Sequence, residues 1–166
     1  MLTCQADALP QMKRKLRGRR LVAVDIENVV GGAILTSANA SWARHQIEKV
    51  IELRYDEQVV IGTSHIGVVS TRMGWDGPRI VMRSGPDGAD LALLEVLQGE
   101  RIAERFDELV LVSGDGIFAE VVARLAAEGV KTTVVAHHGG LSKRLRLAAA
   151  NTFLFERNVA GLGGAA

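Results

Sequence analysis

One cysteine, Cys4, stands in the whole chain, so no intramolecular disulfide can form, and a reducing, cytoplasmic setting is expected. Aromatic residues make up only 4%, with Trp42 and Trp75 the sole tryptophans, which excludes an extensive stacking platform for single-stranded bases. No apolar run reaches the roughly 18 residues of a membrane span. The basic N-terminal residues are followed by no apolar h-region, so neither membrane insertion nor secretion is expected. H-E-x-x-H and C-x-x-C patterns are missing, and His137 and His138 are adjacent, a spacing that suits no pair of ligands on one strand face. With His45 and His65 they are expected to be solvated or hydrogen-bonded, and zinc chemistry is not supported. Ser113 lacks a G-x-S-x-G elbow, which argues against serine nucleophilic catalysis.

What is present is a chain of 166 residues, 48% hydrophobic and 23% charged, enough for one domain that folds without a metal or disulfide staple. The formal net charge of +1 hides an uneven distribution. Residues 1–20 carry Lys13, Arg14, Lys15, Arg17, Arg19 and Arg20 against Asp7 alone, and the end of the chain carries Lys143, Arg144, Arg146 and Arg157 against Glu156. The stretch between is acidic, so basic ends flank an acidic middle, a pattern suited to a polyanion at the periphery and cations at the centre. A solvated tail and helix face explain the same clusters equally well. The chain divides into a basic segment, 1–19, a domain, 20–156, and a flexible tail, 157–166.

Within the domain, Leu21 to Ile26 reads as a buried strand, followed by a Gly-containing stretch and a helix capped by Ser41 and running to Arg54, with Ile47, Val50, Ile51 and Tyr55 as its stripe. Val59 to Gly62 is a second strand, Ser64 to Pro78 a loose segment with a short helix, and Arg79 to Met82 a third strand. A long helix runs from Ala89 towards Arg105, with Leu91, Leu94, Leu97 and Ile102 at helical spacing and Gly99 weakening its middle. Leu109 to Ser113 is a fourth strand, followed by a helix over 116–128, a fifth strand at Lys131 to Ala136, a basic helix over 141–150 and a last strand at Thr152 to Phe155. Strands alternating with helices predict a three-layer α/β/α sandwich around a mostly parallel sheet, with sites beyond the carboxyl ends of the strands.

Three acids fall at those ends. Asp25 closes the first strand, Asp115 lies two residues past Ser113, and Asp90 sits in the first turn of the helix that leaves the third strand. A sheet doubly wound around the first strand brings all three to one edge, where unpaired carboxylates repel unless a cation neutralises them. Hard oxygen donors favour Mg²⁺ or Mn²⁺, and a metal so held can activate water against a phosphodiester. Each acid also has an ordinary structural role open to it: Asp115 as a helix cap, Asp90 as a first-turn acid with Asp87 as cap, and Asp25 as an acceptor from a backbone amide or Asn28.

Val24-Asp25-Ile26-Glu27-Asn28, Gly88-Ala89-Asp90-Leu91-Ala92-Leu93 and Leu111-Val112-Ser113-Gly114-Asp115-Gly116-Ile117-Phe118, in that order, resemble the three signature segments of the NYN domain family of PIN-like nucleases. The resemblance spans roughly residues 20–156. It implies a PIN-like α/β/α fold and a Mg²⁺- or Mn²⁺-dependent endoribonuclease with RNA as substrate. Carried over by residue, it makes Asp25, Asp90 and Asp115 the metal ligands, with Asn28 and Ser113 orienting water, substrate or a carboxylate. The family often has a second aspartate in the third motif where this chain has Ile117, which removes one negative charge and keeps a catalytically weak or inactive RNA-binding protein open. Glu27 is the candidate to replace that charge.

Two other readings share these residues. Gly114-Asp115-Gly116-Ile117-Phe118-Ala119 fits G-x-G-x-x-A, but Asp115 would oppose a pyrophosphate and the next strand ends without an acid for a ribose. Asp25-x-Glu27 resembles the nucleophile segment of haloacid-dehalogenase phosphatases, although Glu27 and Ala119 stand where that family has acids. Lys143 and Arg144 are the candidates for phosphate contacts, ahead of Arg19 and Arg20, which enter the first strand at its opposite end. Homodimer assembly is left open.

Overall fold

The computed structural model describes residues 18–156; Cys4, the basic side chains before Gly18 and the 157–166 tail lie outside the described residues. Six strands form one sheet in the order β3-β2-β1-β4-β5-β6, every neighbouring pair parallel. They are β1 (Arg20–Asp25), β2 (Gln58–Ser64), β3 (Arg79–Arg83), β4 (Glu108–Val112), β5 (Lys131–Ala136) and β6 (Asn151–Leu154). The chain winds outwards from β1 in both directions, so the β1/β4 boundary is the switch point at which such sheets open a crevice. The sheet is wholly parallel, as every crossover carries a helix back to the amino end.

Buried runs in β1 and β4 follow from a sheet covered on both faces. Leu21, Ala23, Leu109 and Leu111 point into one core, with Leu93, Leu97, Phe118 and Leu125. Val22, Val24, Val110 and Val112 point into the other, with Ile26, Ile34, Ile47 and Trp75. The first core lies under α4 (Gly88–Gly99), α5 (Ile102–Arg105), α6 (Ala119–Ala127) and α7 (Lys143–Ala148); the second lies under α1 (Ile26–Val30), α2 (Ser37–Val50) and α3 (Val68–Gly74).

Several boundaries differ from the sequence reading, each for a local reason. The helix expected from Ser41 begins at Ser37, because Thr36 and Asn39 form a capping box in which Thr36 Oγ1 accepts from the Asn39 N–H and Asn39 Oδ1 accepts from the Thr36 N–H. Ser41 instead donates to the Gly74 carbonyl, and Tyr55, expected in the apolar stripe, lies beyond the helix and is fully exposed. The expected long helix stops at Gly99: Arg101 turns left-handed at φ 53° and a separate four-residue turn, α5, follows. The segment 64–78 holds a 3₁₀ turn, His65–Gly67, and α3. α1 was not anticipated at all; five residues are too few to show a 3.6-residue period, and Gly31 at φ 83° ends it.

Gly62 sets the depth at which α4 packs. It pairs with Asp25 across β1/β2, and a Cβ on it would stand 2.6 Å from the Ala89 carbonyl oxygen, so α4 approaches the sheet only because no side chain is there. Gly62→Ala is expected to lower unfolding free energy by about 1–3 kcal/mol, the usual cost of overpacking, read as a reduced urea midpoint with unchanged m-value.

Candidate functional site

Asp25 is the last residue of β1 and the N-cap of α1, and it is 2% exposed. Its Oδ1 accepts from the Asn28 N–H at 3.1 Å, and its Oδ2 accepts from Ser113 Oγ at 3.0 Å. The Asn28 side chain reaches the other way, Oδ1 accepting from the Gly114 N–H at 3.1 Å. Ser113 Oγ also accepts from the Asp115 N–H at 3.2 Å. The ends of β1 and β4 are thus stitched together by Asp25, Asn28 and Ser113.

α4 brings Asp90, half-buried, into hydrogen-bonding contact with the Asp25 carboxyl. Two carboxyls meet this way when the pair shares a proton, and the surroundings of both favour keeping it. Burial, then the hydrogen bond to Asp90, then the Asp90 charge push the Asp25 pKa up to about 8, outweighing the opposing hydrogen bonds from Asn28 and Ser113. Asp90 is raised as well, first by burial and then by the charges of Asp115, Asp87 and Glu27, while its hydrogen bond with Asp25 works in the opposite sense. Five carboxylates therefore share one electrostatic neighbourhood at the carboxyl edge of the sheet.

The sequence reading made three of these the metal ligands, with Glu27 as the candidate for a further charge and Asp87 only as a cap. Glu27 is held in the first turn of α1 with Oε1 accepting from the Ser64 N–H at 2.8 Å and from buried Thr63 Oγ1 at 3.3 Å, which ties it to the end of β2. Its direction was hidden because α1 itself was hidden. Asp87 occupies the cap position of α4 but makes no side-chain cap bond, its backbone being left-handed at φ 57°. Asp115 does cap, Oδ1 accepting from the Ile117 N–H at 2.9 Å. Ile117 is 37% exposed on that turn, an apolar group at the rim where the related motif carries an acid.

Lys143 and Arg144 open α7 and are exposed. That helix start is anchored to the acidic loop, the Ser142 N–H donating to the Gly114 carbonyl at 2.8 Å, which places both cations at the same edge as Asp115. Arg19 and Arg20 lie at the opposite end, Arg20 paired with Glu57 at 2.5 Å and Arg19 over the Phe106 ring at 5.0 Å. They line a cavity of about 250 Å³ that is remote from the acids. His137 is half-buried, hydrogen-bonded to the Val29 carbonyl at 2.8 Å and against the Phe155 ring; His45, His65 and His138 are exposed.

The donor set suits a hard divalent cation: it is all carboxylate, and burial with mutual repulsion makes its charge costly without one. Among the described residues no three such side chains already stand in a metal-holding cluster: Asp25 and Asp90 are paired with each other, and Asp115 accepts from the Ile117 N–H as a cap. Loading would replace the shared proton, and each oxygen of Asp25 keeps a further lone pair for that purpose.

The model of the NYN domain, a PIN-like nuclease domain family, matches residues 100–157, the part that holds the third motif, α6, β5, α7 and β6. The resemblance is borne out there, over the third motif; the first two motifs, at 24–28 and 88–93, lie outside the matched residues. A solved structure, that of a protein of unknown function from Vibrio parahaemolyticus, is similar with a TM-score of 0.52 and 20% identity, covering 84% of this chain and 93% of that one. It supports the α/β fold. No curated protein matches the sequence.

A raised acid pKa means that the native state holds a proton the unfolded chain releases, so its stabilising contribution is full below the unfolded value near 4 and is lost as pH rises towards 8. In EDTA, melting temperature is expected to fall from pH 5 to pH 8. Asp25→Asn, which keeps the shape without the charge, is expected to flatten that slope and raise the pH 8 melting temperature, checked by thermal denaturation at both pH values.

Proposed function

We propose that this protein is a divalent-metal-dependent endoribonuclease acting in the cytoplasm, with Asp25, Asp90 and Asp115 holding Mg²⁺ or Mn²⁺. The observation that carries this reading is the Asp25–Asp90 carboxyl pair, with Asp115 and Glu27 in electrostatic range at the switch-point edge of an NYN-type fold. Such crowding disfavours the metal-free state and is relieved by a cation. When bound, the cation would lower the pKa of an attacking water and stabilise the leaving oxygen of a phosphodiester.

The chain's own residues divide the remaining work. Ser113 fixes the Asp25 carboxylate and, through the Asp115 N–H, the start of the third-motif turn. Asn28 holds the Gly114 amide, so the acids of β1 and β4 keep their spacing. Lys143 and Arg144 supply phosphate contacts that add affinity without base choice. The dinucleotide alternative is disfavoured because Asp115 occupies the Ile117 N–H that a pyrophosphate would require.

A second reading, RNA binding with little or no cleavage, is favoured by exposed Ile117 standing where an acid would complete the set. Labelled RNA incubated with Mn²⁺, Mg²⁺ or EDTA separates the two. Metal-dependent cleavage is expected, with Asp25→Asn and Asp115→Asn each reducing the rate by about 10²-fold or more while circular dichroism stays unchanged. Binding without cleavage in any metal would leave the second reading standing. The Lys143→Glu/Arg144→Glu double variant is expected to weaken RNA binding and to lower the slope of log affinity against log salt by about 2.

A further inference from the structure

β3 is an edge strand, hydrogen-bonded to β2 on one side and to no strand among the described residues on the other. Open edges of this kind are normally covered, bulged or kept short. This one is flanked by two hollows. On the α3 side a groove of about 340 Å³ is lined by Val69, Met73, Ile80 and Met82, with Val69 68%, Met73 74% and Met82 50% exposed. On the α4 side a groove of about 450 Å³ is lined by Val81, Val96, Glu95 and Glu100.

Strand alternation sends Arg79, Val81 and Arg83 to the α4 side and Ile80 and Met82 to the α3 side. Arg79 is held by Glu100 at 2.6 Å. Arg83 and Glu95 have no ion-pair partner among the described residues.

We propose that a second copy of this chain pairs antiparallel with β3 about a two-fold axis at Val81, joining the two sheets and placing Arg83 of each copy in the α4-side groove of the other, beside Glu95. The register follows from the residues themselves. Centred on Val81, it sets Ile80 against Met82 of the other copy on the α3 side, where the exposed aliphatic groups of both chains come together. On the α4 side it sets Arg83 opposite Arg79, whose charge Glu100 already answers, so the incoming guanidinium meets Glu95. The surface is therefore complementary to itself in backbone, apolar contact and charge. An RNA strand would meet Glu95 and Glu100 with its phosphates and offer the strand edge no ladder of amides.

This inference is independent of the nuclease reading, and its test reads mass rather than activity. Sedimentation equilibrium over a concentration series is expected to give the wild-type chain twice its monomer mass. Arg83→Glu and Glu95→Arg are each expected to weaken dimerisation by about tenfold or more, since the two-fold repeats each repulsion, and the double swap is expected to restore it. Circular dichroism checks that these exposed substitutions leave the fold intact. A wild-type chain that stays monomeric, a dimer indifferent to either single swap, or a double variant that fails to recover would overturn the proposal. So would Met73→Glu abolishing binding of a short RNA while the dimer mass holds, since that outcome assigns the face to nucleic acid.

Discussion

The position of the Asp25 carboxyl, almost without exposure at the end of the central strand, is the constraint around which the carboxyl edge is built. Four elements answer to it. α1 starts there because Asp25 caps it, β4 is tied to it through Ser113, α4 meets it through Asp90, and β2 aligns Gly62 beside it. A buried acid is costly unless its oxygens are satisfied, and here satisfaction comes from three different parts of the chain rather than from one neighbour. Moving any of those parts leaves a polar group stranded, which is how a local electrostatic problem becomes a rule for the packing of distant elements.

Asp90 shows how fine that rule is. Its place depends on the depth of α4, and the depth depends on the missing side chain at Gly62. The glycine is therefore part of the site, although it lies in the middle of a strand and carries no chemistry. Thr63 and Ser64, the next residues of β2, hold Glu27 at the same edge. One short stretch of β2 thus controls where two of the acids stand.

Legibility in the sequence tracked the range of the interactions responsible. β5 was readable to the residue, and the centres of the other strands were plain, because runs such as Val22-Ala23-Val24 and Leu109-Val110-Leu111 encode burial on both faces. The placement of Asp25, Asp90 and Asp115 along one edge followed from topology alone, through the rule that parallel sheets carry their sites beyond the strand ends. What stayed hidden depended on short or competing local signals. α1 is too brief for periodicity, so the direction of Glu27 could not be read. Ser41 was read as the cap, and the reciprocal bond between Thr36 and Asn39 that starts the helix earlier was missed. Leu91 and Leu94 read as core but are half-buried, while Ala92 and Leu93 carry the packing, because α4 is rotated to bring small residues against the sheet.

The two ends of the sheet treat charge in opposite ways, and that contrast bears on why function belongs at one of them. At the amino edge Arg20 meets Glu57 and the Glu52 carbonyl, and Arg79 and Arg105 share Glu100. Those charges are spent within the fold, and the Glu100 carboxyl is held below its usual range by its two arginines. At the carboxyl edge no arginine or lysine among the described residues enters the set around Asp90, and the same kind of group is pushed upwards instead. A fold selected for stability alone would pair those acids as it pairs Glu57 and Glu100. Leaving them close, partly buried and answered by backbone amides and the hydroxyls of Ser113 and Thr63 rather than by a cationic side chain costs stability that a cation would restore. Under the proposed function, the acidic edge is the part of the molecule whose structure answers to a bound cation, and the amino edge is the part explained by folding.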